Sequence, residues 1–501
     1  MPGDGSKCLP GKRQRSRTHK MTEEQFDLIV VGGGPGGSTI ATLVAKRGHR
    51  VLLLEREELP RYQIGESTLP YTLGICKILG VADELARAGF TQKLGGVWRW
   101  GSRGNLVRVD FREVVPEPLI SGAYAYQVER LKFDKLLLDN ARRVGVEVRQ
   151  RHNVQELIAE DGRIVGAKYT DREGREGTVR ASYIADAGGH TSPFHRMCGQ
   201  RIWSDKFRNF ALFGYYEGGE RLPPPMSGSI LNVTFEYGWF WYIPLAPSLT
   251  SVGAVVPVEF HYMLEDGHEK AMQRFIEACP KIKQLLEGTK RIKEGTYGQL
   301  RVRKDWSYCN TGFCRPGLVL IGDAACFVDP LFSSGIHLST YSALLAARSV
   351  NSMLRNTSGE GEYLNEFETR YRNEYAKFYQ FLVTFYKDLE QEEYFRRASE
   401  ILQTDDLGSN ALVRLVSGWS ADGQELDKTR EGRAEEAKPP RTLAEKSFGN
   451  AFAKSEADIF DWAIKGVPSM SSSKGLVPTD DGLAWTQATA RKVTQRRVTE
   501  A

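Results

Sequence analysis

Two stretches near opposite ends of the chain hold residues able to do chemistry. One is Val319–Ser339, VLIGDAACFVDPLFSSGIHLS. Its apolar opening reads as a buried strand. The strand stops at Gly322-Asp323, which sets a carboxylate at whatever lies beyond its carboxyl edge. Asp329-Pro330 then forces a turn, and Ser333-Ser334-Gly335 precedes a helical pattern running from Ile336 to about Met353. Small residues at a helix start leave backbone N–H groups uncovered, and such a place suits an anion. An ordinary strand–turn–helix reads the same way, so the other stretch has to decide.

That other stretch follows the apolar run FDLIVV. Gly32, Gly34 and Gly37 form G-x-G-x-x-G, a helical segment (Ser38–Arg47) follows, and a second strand, Val51–Leu54, ends in Glu55. Strand, glycine turn, helix, strand and acid make up the dinucleotide fingerprint. The glycines let backbone approach a pyrophosphate, the helix start receives its charge, and Glu55 is placed to hold a ribose hydroxyl.

The elements that must position these groups can be read in order. Residues 61–67, RYQIGES, are too polar for a core strand. Helices are expected over Leu69–Leu79, Ala82–Ala88 and Phe133–Arg143, and strands over Val97–Trp100 and Val107–Phe111. A β-meander over 163–184 closes on Ile184-Ala185-Asp186, an apolar strand ending in a second acid. From Asn209 to Val258 alternation dominates, which predicts an antiparallel sheet separate from the nucleotide domain. Helical patterns return at 269–287, Thr296–Val302 reads as a strand, and helices run to about residue 402. Residues 421–447 read as a charged linker, 448–466 as one more helix, and the tail after Pro468 as loose.

Composition sets the outer limits. At 501 residues the chain exceeds one compact core, so two or three domains are expected. The net charge of +5 is no argument for nucleic acid. Residues 1–20 hold six lysines and arginines against Asp4, an excess that accounts for all of it. This basic leader has no apolar core and so is not a signal peptide. No apolar run approaches the length of a membrane span. Seven scattered cysteines without C-x-x-C point to reduced thiols and a cytoplasmic protein.

Together these residues resemble the flavoprotein monooxygenase fold, and within it the flavin-dependent halogenases, across about residues 24–400. Trp239-Phe240-Trp241-Tyr242-Ile243-Pro244 matches that family's W-x-W-x-I-P signature, and Lys93 follows the GES turn where the family carries its lysine. The implied fold is α/β and two-domain. A Rossmann-like FAD-binding domain (24–96 with 123–199 and 309–353) adjoins an antiparallel β-sheet substrate domain (97–122 with 200–308) and a C-terminal helical region (354–420). The resemblance gives FAD contacts to Gly32, Gly34, Gly37, Glu55, Arg56, Ser67, Gln127, Arg130, Asp186, Gly322, Asp323 and Pro330. It places the halide, chloride or bromide, at Ser333, Ser334, Gly335 and Ile336, and makes Lys93, Trp239 and Trp241 catalytic. No metal site is expected.

The chemistry so implied starts with FADH2 and O2 forming a flavin hydroperoxide, which oxidises halide to hypohalous acid. Trp239 and Trp241 keep substrate from the flavin, and Lys93 receives the hypohalous acid as a hydrogen-bond donor or as a chloramine. Tryptophan halogenases carry a glutamate immediately before the two small residues at the helix start, where this chain has Phe332. The sequence instead resembles halogenases of phenols and pyrroles presented on carrier proteins, above all those of tyrosyl-type substrates in natural-product biosynthesis. With no second nucleotide motif for NADPH, reduced flavin must come from a separate reductase. Three other readings share parts of this pattern: a single-component FAD/NADPH aromatic hydroxylase, a flavin-dependent reductase of isoprenoid double bonds, and a non-catalytic flavin-binding scaffold.

Overall fold

A computed structural model describes residues 24–101, 104–113, 123–355, 359–387, 391–402, 409–418, 476–479 and 482–485. The basic leader, the 421–447 linker and the 448–466 helix expected from sequence lie outside the described residues.

The β-branched and leucine-rich runs form one sheet. Its order is Cys314–Arg315, Leu318–Leu320, Glu176–Asp186, Glu24–Val31, Val51–Glu55, Glu147–Gln150, and the hairpin Asn153–Glu160/Arg163–Thr170 extends it from Glu176–Asp186. Five of these strands are parallel and in register, with Val31 opposite both Asp186 and Leu54, Asp186 opposite Leu320, and Glu55 opposite Gln150. Their carboxyl ends therefore finish at one level. Gly32, Glu55, Asp186 and Gly322-Asp323 emerge along a single edge, where open α/β sheets bind ligands. Helices Pro35–Ala45 and Arg130–Arg143 lie among the elements covering this sheet, and the long helix Ser334–Arg355 packs on Pro35–Ala45.

A second, nine-stranded sheet has the path Cys326–Phe327, Arg301–Asn310, Arg201–Glu217, Leu249–Pro257, Gly238–Ala246, Ile230–Phe235, Gly95–Trp100, Asn105–Asp110. Antiparallel pairing was expected, and one pair departs from it: Ile230–Phe235 runs parallel to Gly95–Trp100. These two strands come from distant chain segments, so no hairpin fixes their direction. The strand read at Thr296–Val302 begins later, at Arg301, after a short turn of helix at Gly295–Tyr297. The expected 269–287 helix is two helices, His268–Glu277 and Pro280–Leu285, because Pro280 starts the second.

Side chains on Gly238–Ala246 alternate, as the period of a strand requires. Trp239, Trp241 and Ile243 join the core shared with the parallel sheet, whereas Phe240 and Tyr242 join the core under Phe275 and Ile282. Both faces are buried, hence the unbroken apolar run. Helices Glu360–Phe385, Gln391–Leu402 and Ser409–Val416 complete the described fold. Where a loose tail was expected, Leu476–Thr479 pairs with Gly482–Trp485 as a hairpin.

Candidate active site

A cavity of about 730 Å3 runs from the glycine turn to the start of helix Ser334–Arg355. At one end Gly32, Gly34 and Glu55 line it, and at the other Pro330, Ser333, Gly335 and Ile336. The three fingerprint glycines divide between two roles. A Cβ on Gly32, which has φ +97°, would sit 2.5 Å from the Ala187 carbonyl oxygen, and one on Gly37 would sit 1.9 Å from that of Gly32. These two are needed for backbone packing. At Gly34 the nearest atom to such a Cβ is the Arg61 guanidinium at 3.6 Å, so its space opens into the cavity.

Glu55 is buried and accepts from the Gly33 amide (2.5 Å) and the Glu57 amide (2.9 Å), one per carboxylate oxygen. Each oxygen keeps a further lone pair for a ligand hydroxyl. Asp186 takes the Ser192 hydroxyl (2.6 Å) and the Gly188 amide (3.0 Å), so it shapes the 187–192 loop that lines the cavity and stands behind the wall itself. Gly322, with φ +58°, packs against Ser339 of the long helix, and Asp323 lines the cavity. Burial pushes the Asp323 carboxyl up to about 6, against the pull of Arg130, Arg201 and Arg303. Arg56 lines the rim and donates to the Thr191 hydroxyl (3.2 Å). Arg130 clamps Asp134 through two bonds (2.7 and 2.8 Å) and donates to the carbonyls of Ile64 (2.6 Å) and Gly65 (3.2 Å). It thereby holds the GES turn.

The far end is built from separated segments. Thr91–Lys93 pairs with Ala125–Gln127, and Gln127 also bridges to Ser67. Gln127 lies behind the wall, donating to the Gly228 carbonyl (3.1 Å). This pairing carries Lys93 onto a short strand and into the interior, where it is 2% exposed. Its ammonium donates to the Ser67 hydroxyl (2.8 Å), the Thr68 carbonyl (3.0 Å) and the Ser333 hydroxyl (3.4 Å). Burial alone pushes the amine down to about 7. Ser333 itself stands in the left-handed region, φ +59° and ψ +29°, after the turn Pro330–Phe332. Ser334 is the buried first residue of the long helix, and nothing lies within 4 Å of a Cβ built on Gly335.

Between the two ends stand aromatic rings. Trp241 lines the cavity, its ring 5.6 Å from Phe213, and donates to the Ser251 hydroxyl (3.2 Å). Trp239 is one layer back, donating to the Tyr386 hydroxyl (2.7 Å), which donates in turn to Asp329 (3.3 Å). The two indoles are 6.5 Å apart, so together they make a wall with one exposed face.

The tryptophan halogenase family model matches residues 27–120 and 113–424. A tryptophan 2-halogenase of Chondromyces crocatus is 32% identical over 387 residues, covering 76% of this chain and 72% of the relative. The myxobacterial chondrochloren halogenase CndH, a variant of FAD-dependent halogenases, superposes with a TM-score of 0.75 at 45% identity over 92% of this chain and 100% of its own. The flavin-dependent brominase Bmp2 gives 0.69 at 25% identity, over 81% and 99%. This chain belongs to the flavin-dependent tryptophan halogenase family. It is an oxidoreductase.

Halogenases of this kind use FAD in its reduced form with a halide and O2. The chain fits that cofactor: the open approach at Gly34, the free lone pairs of Glu55 and the arginines around the cavity suit a dinucleotide pyrophosphate and ribose. The Phe332 ring packs on Trp98 (6.0 Å), Phe381 (5.2 Å) and Phe385 (5.1 Å). Among the described residues no helix is long and apolar enough to cross a membrane, and no side-chain cluster has the makings of a metal site.

Sequence reasoning missed Thr68, Glu66, Tyr215 and Tyr386. The GES motif was a signal for the first two, since Glu66 lines the cavity and Thr68 follows the serine that meets Lys93. Tyr215 and Tyr386 carry no local signal. No Lys or Arg stands beside Ser333-Ser334-Gly335 in the sequence. In space Lys93 reaches Ser333 across 240 positions.

Proposed function

We propose that this halogenase chlorinates or brominates a phenolic, tyrosyl-type ring presented by a peptidyl carrier protein, in natural-product biosynthesis, with reduced flavin delivered by a separate reductase. The observation that supports the substrate class most is the surroundings of Lys93. Among the described residues its hydrogen-bond partners are Ser67, Thr68 and Ser333, and Phe332 occupies the place of the carboxylate. A ring that is not helped by an acidic partner must activate itself, and a phenol does so at its ortho carbons. A relative in Pseudomonas fluorescens, 26% identical over 73% of this chain and 85% of its own, is a 1H-pyrrole-2-carbonyl-[peptidyl-carrier protein] chlorinase. That supports carrier presentation.

Reduced FAD with O2 supplies the oxidising power that converts halide into hypohalous acid. The chain's own residues do the rest. Halide is held by backbone N–H groups at Ser334, Gly335 and Ile336, where the helix dipole adds to the donors. Trp241, backed by Trp239, keeps the ring away from the flavin, so hydroxylation does not compete. Lys93 takes up the hypohalous acid between halide loop and substrate. With its amine down to about 7, a large fraction is the free base at neutral pH, which suits either a hydrogen bond or a chloramine.

The test is incubation with FAD, an added reductase, chloride and a tyrosyl-type phenol, offered both free and loaded on a carrier protein, with products read by mass spectrometry. Ortho-chlorinated product from the carrier-bound form, at a rate well above the free form, is expected. Hydroxylated product, or halogenation of free indoles in preference to phenols, would overturn the proposal. Efficient turnover with NADPH and no reductase would revive the single-component reading.

A further inference from the structure

Making hypohalous acid from halide consumes a proton. Counted from neutral reduced flavin, two electrons and two protons leave the cofactor, one oxygen atom ends in HOX and the other in water. HOX and water together hold three hydrogens, so one proton must come from outside the reactants. Ring substitution by HOX then releases water and no net proton. A donor in the cavity wall would deliver that proton directly at the reacting oxygen.

One chain of groups leads from the surface to the cavity. Glu66, 3% exposed, lines the cavity directly before Ser67. Its Oε1 accepts from the Tyr215 hydroxyl (2.7 Å), and the Tyr215 and Tyr62 hydroxyls are 2.8 Å apart. Tyr62 is half-buried at the outer end, with the Arg301 guanidinium 3.7 Å from its ring centroid. The other carboxylate oxygen, Oε2, is buried and has no well-aligned hydrogen-bond donor among the described residues, while the Ser251 hydroxyl stands near enough to the carboxyl to favour its anion. Leaving a buried carboxylate oxygen bare is costly. The cost vanishes when that oxygen carries a proton and faces an acceptor in the cavity.

We propose that Tyr62, Tyr215 and Glu66 form a proton relay that supplies halide oxidation. In the step, Glu66 turns its protonated oxygen toward the cavity that it lines, and the O–H bond at Oε2 breaks as its proton passes to the oxygen becoming water. A new O–H bond forms at Oε1 as the Tyr215 proton transfers, Tyr62 reprotonates Tyr215, and solvent reprotonates Tyr62. Rotation of the carboxyl resets the chain. The proposal does not depend on which ring is halogenated.

The groups around Glu66 are consistent with a carboxyl that changes protonation near neutrality. Burial is the largest influence and pushes it up to about 7. Tyr215, the Ser251 hydroxyl and Arg130 pull it down, and Glu129 pushes it up. The Tyr297 ring is tilted 45° to that of Tyr215 at 4.4 Å and its hydroxyl donates to Glu129 (3.0 Å), the charge of Arg303 acts on Tyr62, and Lys93 donates to the neighbouring Ser67.

Glu66→Gln, Tyr215→Phe and Tyr62→Phe test the relay by two readouts. The first needs no cofactor. Infrared difference spectra of the apoprotein are expected to show a protonated-carboxyl C=O band that titrates near pH 7 and is absent in Glu66→Gln. In Tyr215→Phe the band should persist to higher pH, because the bond that stabilises the carboxylate is gone. The second is the partition of O2 consumed between hypohalous acid and H2O2 at saturating FAD. Glu66→Gln should lower hypohalous acid production about a hundredfold, the scale of a lost general acid, with H2O2 rising in its place and flavin stoichiometry unchanged. Tyr62→Phe, which keeps its ring, should give a smaller loss that acid pH relieves. A Glu66→Gln protein with an unchanged carboxyl band, or one with wild-type hypohalous acid yield, would overturn the relay. So would loss of FAD binding in parallel with activity across all three variants.

Discussion

The nucleotide end of the cavity and the lysine end solve opposite problems. At the nucleotide end the parts come from one sheet edge: Gly32, Glu55 and Asp323 are levelled there by parallel register, and Arg56, Arg61, Arg201 and Arg303 stand around it. A permanently anionic ligand needs backbone donors and charge, and a rim open to water provides both cheaply. At the lysine end the amine sits among Phe111, whose ring centroid is 5.6 Å away, and neutral hydroxyl and carbonyl oxygens. Among the described residues no carboxylate offsets its desolvation there, and the amine loses much of its basicity. One end binds by supplying charge. The other reacts by withholding it.

Replacing Lys93 by methionine breaks this contrast most severely. Halogenation should fall by about a thousandfold, within the range for removing a proton-transferring or acceptor group, while FAD binding and hypohalous acid production persist. The same variant should be more stable. The folded chain keeps the amine neutral above about pH 7, whereas the unfolded chain holds its proton to about 10.5, so wild-type stability rises with pH across that window. At pH 7 the cost of the neutral amine is on the order of 4 kcal/mol, and methionine removes it while keeping a similar length. Urea unfolding at pH 7 and 9 checks this: the gap between variant and wild type should narrow at the higher pH. A variant less stable than wild type at pH 7 would mean the amine is not desolvated.

Gly34→Val attacks the other end. The β-branched side chain would fill the one fingerprint position open to the cavity, so FAD affinity should drop by about a hundredfold, near 2.7 kcal/mol. Flavin stoichiometry after purification measures it. Retention of wild-type flavin would remove Gly34 from the pyrophosphate site. Lys93 should keep its depressed pKa in this variant, because its desolvation comes from neighbours at the far end.

The two ends also differed in how legible they were. The fingerprint, Glu55, Asp186 and Asp323 could be placed from sequence because each follows a strand directly, and parallel register then brings strand ends together without further information. The division into a nucleotide-binding sheet and an alternating sheet was legible for the same reason. What could not be read was the pairing of Thr91–Lys93 with Ala125–Gln127, three residues long on each strand and too short for periodicity to register. Without it Lys93 is a solvated loop lysine. The parallel pairing of Ile230–Phe235 with Gly95–Trp100 was equally hidden, since strands far apart in sequence have no turn to set their direction. The Trp239–Tyr386–Asp329 chain draws on three elements and has no sequence signature at all.

Gly335→Leu sharpens the comparison at the point where the two ends meet. Its backbone is helical and its surroundings are empty, so leucine should fit and add about 1 kcal/mol of helix stability over glycine. The side chain would nevertheless cover the N–H groups proposed to hold halide. Expected are undiminished FAD binding, a stability equal to wild type or higher, and chlorination reduced at least tenfold with part of the loss recovered at high bromide. Undiminished chlorination would place the halide elsewhere.

The smallest expected effect belongs to Tyr386→Phe. The ring stays, with its edge contacts to Trp100 (5.5 Å) and Phe207 (5.2 Å), and only the hydroxyl between Trp239 and Asp329 is lost. Asp329 is buried and caps the Pro330–Phe332 turn through the Leu331 amide (2.8 Å), which sets up the left-handed Ser333. Burial pushes its carboxyl up to about 7, and the Tyr386 hydroxyl works against that. In the wild type the folded chain therefore binds a proton between about pH 3.8 and 7 that the unfolded chain does not, and stability falls as pH rises through that window. Removing the hydroxyl raises the carboxyl further and extends the window upward. At pH 5 the variant loses only a neutral hydrogen-bond chain, about 1 kcal/mol. At pH 8 it loses a bond to an ionised acceptor, about 2 kcal/mol, and the turn that presents Ser333 to Lys93 loosens with it. Urea unfolding at the two pH values measures the difference. Equal losses at both would mean that Tyr386 serves Trp239 alone, and that the wall is tied to the halide turn by packing and not by this carboxylate.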